Sequence, residues 1–194
     1  MARTSEFDRE EVLTNAMKTF WEVGYNKTSI PQLTKATHLQ PGSIYAAFKS
    51  KEGLFQATLE HYSQRGLKKI HTLITQAPTP LQGIKCFLES IVEEMANDQL
   101  PPGCFLVNSL LELAPQNKAV QAQISTHLAT VESELFSALK AAHVSGELAP
   151  EKAPVALAKF LMLNIWGLRV MAKTNPDKES LKAVLAQLLL SLES

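Results

Sequence analysis

The stretch Ser29-Ile30-Pro31-Gln32-Leu33-Thr34-Lys35-Ala36-Thr37-His38-Leu39-Gln40-Pro41-Gly42-Ser43-Ile44-Tyr45-Ala46-Ala47-Phe48 decides the fold. Ser29 is a good N-cap, and Pro31 falls in the first turn of the helix that follows, where a missing N–H does little harm. Leu33 and Ala36 face inward from that helix. His38-Leu39-Gln40 interrupts the pattern, and Pro41 opens a second short helix that runs through Phe48. Ile44 and Phe48, four residues apart, give it a buried side. Two short helices joined by about three residues, the second carrying small polar residues outward, form a helix-turn-helix. In that arrangement the first helix braces against a nucleic-acid backbone and the second enters the major groove, which is wide enough to admit it.

Helical periodicity continues on both sides. Upstream, Val12, Leu13, Ala16, Met17, Phe20 and Trp21 mark one face of a helix over Asp8 to Val23, which Gly24 is placed to stop. Downstream, Ser50 caps a longer helix from Lys51 past Tyr62 towards Ile74, weakened near Gly66. The first third thus reads as three short helices and the start of a fourth, packed around Phe20, Leu33, Leu39, Ile44 and Phe48. The pattern then predicts helices over Leu81 to Ala96, Cys104 to Leu113, Asn117 to His143, Glu151 to Ala172 and Asp177 to Leu192, separated by Pro- and Gly-bearing breaks. Strand-like alternation is absent, so the chain is all-α.

Charge is balanced, with 19 Lys and Arg against 19 Asp and Glu in 194 residues. The balance is uneven along the chain. Between Gly24 and Lys51 stand Lys27, Lys35, Lys49 and Lys51 with no acid, a small basic face suited to local docking on phosphates. The five histidines form no metal-ligand spacing, and neither a phosphate loop nor a Gly-x-Ser-x-Gly elbow occurs, which argues against an enzyme, a metal site and a bound cofactor. Residues 1–8 carry no apolar leader core, and no run reaches the roughly 20 apolar residues of a membrane span. Two cysteines, Cys86 and Cys104, suit a reducing compartment. These features predict a cytoplasmic chain with no membrane partner.

The string Phe20, Gly24-Tyr25, Thr28-Ser29-Ile30, Leu33, Gly42-Ser43-Ile44-Tyr45, Phe48, Lys51-Glu52 and Leu54-Phe55 resembles the TetR family of one-component bacterial repressors. The resemblance covers residues 6–66, and it implies a three-helix DNA-binding domain there and a larger effector-binding and dimerisation domain over 67–194. It implies that Thr28 and Tyr45 contact phosphates and that Lys51 grips a phosphate at a helix N-terminus, where exposed N–H groups also favour an anion. Gln40, Pro41, Gly42, Ser43 and Ala46 match positions that face bases, with Ser29 and Lys49 beside them. Arg3 resembles the basic arm that precedes the first helix in some relatives and reaches the minor groove. His38 departs from the pattern, standing where the family has Gly in a left-handed turn; His tolerates that backbone better than most residues. The implied partners are a double-stranded operator and a second copy of the chain. The alternative is a helical ligand-binding or scaffold protein that does not touch DNA.

For dimerisation the candidates are the last two helices, through Leu161, Ile165 and Leu168 on one and Leu181, Val184, Leu185 and Leu188 on the other. Helices so apolar are buried on more than one side, as in a four-helix bundle across a two-fold axis. For an effector, Phe87, Phe105, Met162 and Trp166 are candidate pocket residues; the plainer reading makes them core. Cys104 follows Pro101-Pro102-Gly103 near a helix N-terminus, where the dipole favours a thiolate. Relatives that sense electrophiles or oxidants carry a cysteine in this neighbourhood, so Cys104 is a candidate sensor with Cys86 a candidate partner. The competing reading is a small buried apolar residue beside Phe105 and Leu106.

Overall fold

A computed structural model describes residues 8–96, 100–113, 115–174 and 177–193. Among them lie nine α-helices and no strand: α1 (Arg9–Val23), α2 (Ile30–Thr37), α3 (Pro41–Phe48), α4 (Lys51–Gln76), α5 (Pro80–Ala96), α6 (Phe105–Leu113), α7 (Lys118–Val144), α8 (Pro154–Met171) and α9 (Lys178–Leu190). A 3₁₀ turn, Ala172–Thr174, follows α8. Most of the starts are set by side-chain caps. Asp8, Ser29, Ser50, Asn117 and Asp177 each accept an N–H of the first turn of α1, α2, α4, α7 and α9. α8 begins at Pro154, three residues later than the pattern suggests. The residue before a proline is pushed out of the helical region, so the helix starts on the ring itself.

α2 and α3 form the helix-turn-helix. Its turn rests on His38, which sits left-handed at φ 57° and ψ 16° as the C-cap of α2. Thr37 steadies it, donating its hydroxyl to the Leu33 carbonyl at 2.7 Å. Leu33 and Ile44 are fully buried where the two helices meet α1, joined by Phe20, Leu39 and Phe48. Each such side chain contributes roughly 1.5–3 kcal/mol relative to an exposed one. At the next junction Gly53 lies against the end of α3, and a Cβ there would collide with the Phe48 carbonyl.

α4 is unbroken through Gly66, so it crosses the 66/67 division continuously. The side chains divide into two cores instead. The first gathers α1–α3 and the start of α4 with Phe105, Leu106 and Leu113 of α6 and Val120 and Ile124 of α7. The second joins the end of α4 to α5, the rest of α7, α8 and α9. α6 is thus built into the DNA-binding end of the molecule.

The two closing helices present a different face from the one expected. Leu161, Ile165, Leu168, Leu181, Leu185 and Leu188 lie inside the chain's own second core, each 7% exposed or less. Of the expected contacts only Val184 is exposed. The outward apolar residues are Val155, Phe160, Leu163 and Val170 on α8 and Val184 and Leu190 on α9. Residues Pro154–Thr174 are long and apolar enough to cross a membrane by length and composition. Their inner face packs in the core, and Arg169 within them carries a charge.

Candidate nucleic-acid interface and internal cavity

α3 shows the asymmetry a reading helix needs. Ile44 and Phe48 hold it down, while Gln40, Pro41, Gly42 and Ala46 are exposed, Ser43 is half-buried and Tyr45 is 47% exposed. Gln40 is the N-cap residue, yet its side chain makes no cap hydrogen bond, leaving its amide available. A Cβ added at Gly42 would meet nothing within 4 Å. No intramolecular crowding therefore demands glycine there, and its bareness favours approach by something outside the fold.

The flanking residues divide. Ser29 is exposed but engaged in a capping box, with its N–H donating to Gln32 Oε1 at 2.8 Å. Thr28 does not face outward: it is 2% exposed and donates its hydroxyl to the Gly24 carbonyl at 2.6 Å. Its side chain pins the α1–α2 turn and cannot reach a phosphate. Lys49, exposed at φ 71° beyond the end of α3, donates to the Ala46 carbonyl at 3.4 Å. Lys51 opens α4 with its ammonium 4.4 Å from the centre of the Tyr25 ring. Burial lowers its pKa, opposed by the Glu112 carboxylate. Arg3 lies outside the described residues.

Glu112 on α6 is a contact the sequence did not signal. Its carboxylate accepts the backbone N–H groups of Tyr25 at 3.0 Å and Asn26 at 2.8 Å, tying α6 to the turn that precedes the helix-turn-helix.

At the other end of α6 lies a cavity of about 300 Å³ between the two cores. Cys104 stands just before the helix, 7% exposed, and lines it with Phe87, Met162 and Trp166; Phe87 and Met162 also belong to the second core, and Trp166 packs against it. Phe105 does not line it. Its ring turns into the first core, within 6 Å of Trp21, Phe55 and Tyr62, because the first helical residue after Cys104 points the opposite way. Cys86 is a free thiol on α5 away from the cavity wall. The polar side of the cavity was not anticipated. The Tyr62 hydroxyl donates to Cys104 Sγ at 3.8 Å, and burial pushes the Tyr62 pKa well above its ordinary value, against the pull of Arg169. Arg169 Nη1 donates to the Gly103 carbonyl at 3.4 Å, and Nη2 lies 3.7 Å from Glu94 Oε2. Lys69 meets Glu94 Oε1 at 2.7 Å. Arg169 is the only charge between Phe160 and Ala172, and a lone cation in so apolar a helix was the available clue.

Comparison with known proteins bears on both regions. The family described as "Bacterial regulatory proteins, tetR family" matches residues 12–58, and "Tetracyclin repressor-like, C-terminal domain" matches residues 80–188. The chain belongs to the TetR family. This TetR-family chain is therefore a helix-turn-helix transcription regulator and not an enzyme. It is 30% identical over 183 residues to the HTH-type transcriptional repressor ComR of Escherichia coli (strain K12), covering 94% of this chain and 87% of ComR. A solved cysteine mutant of the TetR family transcriptional regulator CifR, complexed with 26bp double-strand operator DNA, superimposes with a TM-score of 0.87 at 33% identity, covering 96% of this chain and 98% of that one. The reduced form of E. coli NemR, at 20% identity and a TM-score of 0.83 over 93% and 94% of the two chains, shares the fold.

Proposed function

We propose that this regulator is a repressor that binds a near-palindromic operator as a homodimer and releases it when an effector occupies the cavity. The exposed α3 carries the reading: its inward face is locked by Ile44 and Phe48 while Gln40, Gly42, Tyr45 and Ala46 stay open to solvent. The CifR relative, whose name records a complex with operator DNA, supports the same use of the same end of the fold. In this reading Gln40, Pro41, Gly42, Ser43 and Ala46 face bases, and Tyr45, Lys49 and Lys51 meet phosphates.

Dimerisation is supported by the outer apolar residues. Phe160, Leu163 and Val170 are 43%, 63% and 53% exposed, and they follow one another along α8 at helical spacing. Packing them with Val184 and Leu190 against a two-fold mate gives a four-helix bundle, and the two-fold axis in turn calls for a palindromic site.

Release requires an effector that prefers one spacing of the two DNA heads. α6 joins the sites directly, with Cys104 at the cavity and Glu112 on the α1–α2 turn. A coupling of about 1–3 kcal/mol weakens DNA binding some 5- to 150-fold. The effector is a small molecule held in the cavity. A thiol-reactive one is the second reading, favoured by the place of Cys104 on the cavity wall. The reading puts the chain in the cytoplasm, where its thiols stay reduced.

Selection of bound duplexes from a random pool tests the function. The expected result is a near-palindromic sequence whose log affinity falls linearly with log salt. Retention of no duplex at low ionic strength would leave the helical ligand-binding alternative.

A further inference from the structure

The cavity is amphipathic along its length. On α5 its lining runs Phe87, Ile91, Glu94, and on α8 it runs Met162, Ile165, Arg169, each ending seven residues further on. At 1.5 Å per residue that separates apolar and charged ends by about 10 Å. Glu94 and Arg169 face each other at 3.7 Å, so the two charged ends coincide.

That end is rich in donors and poor in acceptors. Arg169 has five N–H donors and, among the described residues, two partners, both long. Its side chain is 16% exposed and borders the cavity, so its remaining donors face the space a ligand would fill. The Tyr62 hydroxyl has a thiol sulfur at 3.8 Å as its one acceptor, a weak one. The Ser63 hydroxyl on the same wall is buried with no partner. Against these donors stands one carboxylate among the described residues, Glu94, and Lys69 already holds it at 2.7 Å. Arg65 adds a further positive charge to the rim. Lys69 and Arg169 thus share one carboxylate, with the exposed Arg65 as a further cation nearby.

We propose that the effector is an amphipathic organic acid, its carboxylate on Arg169 and Tyr62 and its apolar body along Phe87, Met162 and Trp166. The assignment rests on the cavity being the effector site. A carboxylate is planar and charged and takes two parallel N–H donors of a guanidinium on two separate oxygens, a match that a single neutral hydroxyl or amide oxygen lacks. It is also a far stronger acceptor for the Tyr62 hydroxyl than a sulfur. A cationic ligand would find its only counter-charge occupied.

Isothermal titration of the full chain with decanoate and decanamide, which share an apolar body and differ in charge, tests the assignment. Decanoate is expected to bind at least about tenfold more tightly than decanamide, as expected for hydrogen bonds to a charged group. Arg169→Gln is expected to abolish that preference, with circular dichroism confirming the fold. If that variant does not fold, Tyr62→Phe, which removes one donor, is expected to narrow the preference several-fold. Equal binding of the two probes, or binding of neither, overturns the assignment. Duplex retention by the same preparation separates the two readings. A chain that holds DNA but does not favour the acid keeps the regulator reading and loses the ligand class. One that favours the acid but holds no DNA does the reverse.

Discussion

Glu112 and Asn26 stand 86 residues apart in the chain, yet the Asn26 N–H donates to the Glu112 carboxylate at 2.8 Å. The Tyr25 N–H joins it at 3.0 Å, so one side chain of α6 satisfies two amides of the α1–α2 turn. Removing it strands Tyr25, while exposed Asn26 turns to water. Glu112→Ala is therefore expected to cost about 1–2 kcal/mol in thermal or denaturant unfolding. Operator affinity should fall with it and cavity ligand affinity should not. An unchanged unfolding midpoint would count against the contact.

Gln40→Ala tests the reading face. Gln40 is exposed and caps nothing with its side chain, so the melting temperature should stay put. If its amide pairs with an adenine, discrimination at one operator position should drop by about 1–3 kcal/mol. Competition binding with single-base operator variants reads this out, and uniform loss at every position would assign Gln40 to the backbone instead.

Lys51→Ala separates charge from packing. Loss of a phosphate contact should reduce the slope of log affinity against log salt by about one. Loss of the ammonium above the Tyr25 ring should cost about 0.5–1 kcal/mol of stability. A changed stability with an unchanged salt slope would mean that the ammonium only packs.

His61 supplies a pH dependence. Burial, reinforced by Arg65, lowers its pKa below 6.5, with Glu10 opposing. A proton therefore binds the unfolded chain more readily than the folded one. The stability associated with His61 is present above pH 6.5 and is lost as pH falls through the lowered value. Its Nε2 lies 3.0 Å from the Thr14 hydroxyl, which can donate to the neutral ring or accept from the protonated one, so the hydrogen bond does not set the direction of the effect. His61→Gln should flatten this acid arm of the stability profile, measured by denaturant titration at several pH values.

Leu163 and Leu161 give opposite outcomes on the same helix. Leu163, 63% exposed, should tolerate glutamate without loss of fold, while the dimer dissociates in sedimentation experiments. Leu161, fully buried, should lose about 2–5 kcal/mol on truncation to alanine. A stable dimer after Leu163→Glu would move the two-fold contact elsewhere.

Local features were the ones readable from sequence. Asp8, Ser29, Ser50, Asn117 and Asp177 announce helix starts because a cap acts within three residues of itself. His38 announces a left-handed turn by interrupting a pattern on both sides. α8 failed for the opposite reason. Apolar on nearly every side, it has period but no phase, so nothing distinguished Leu161 from Leu163.

Long-range contacts were out of reach for a different cause. Thr28 looks like any exposed loop threonine until Gly24 turns its carbonyl towards the hydroxyl. Glu112 and Tyr62 carry no local signature at all, since their partners lie across the fold. Phe105 was misplaced by one step of helix rotation relative to Cys104.

The absence of a side chain at Gly53 lets the α3 carbonyl end abut α4 with no slack between them. The joint has no room to flex, so the reading helix rides on the tip of a rod about 39 Å long, at 1.5 Å for each of its 26 residues. The cavity borders α4 between Tyr62 and Lys69, about 17–27 Å from that tip, so a lean of about 5° there carries the tip by about 2 Å. In the proposed dimer, gearing of this kind would let a small ligand shift the spacing of two DNA heads without melting a single turn.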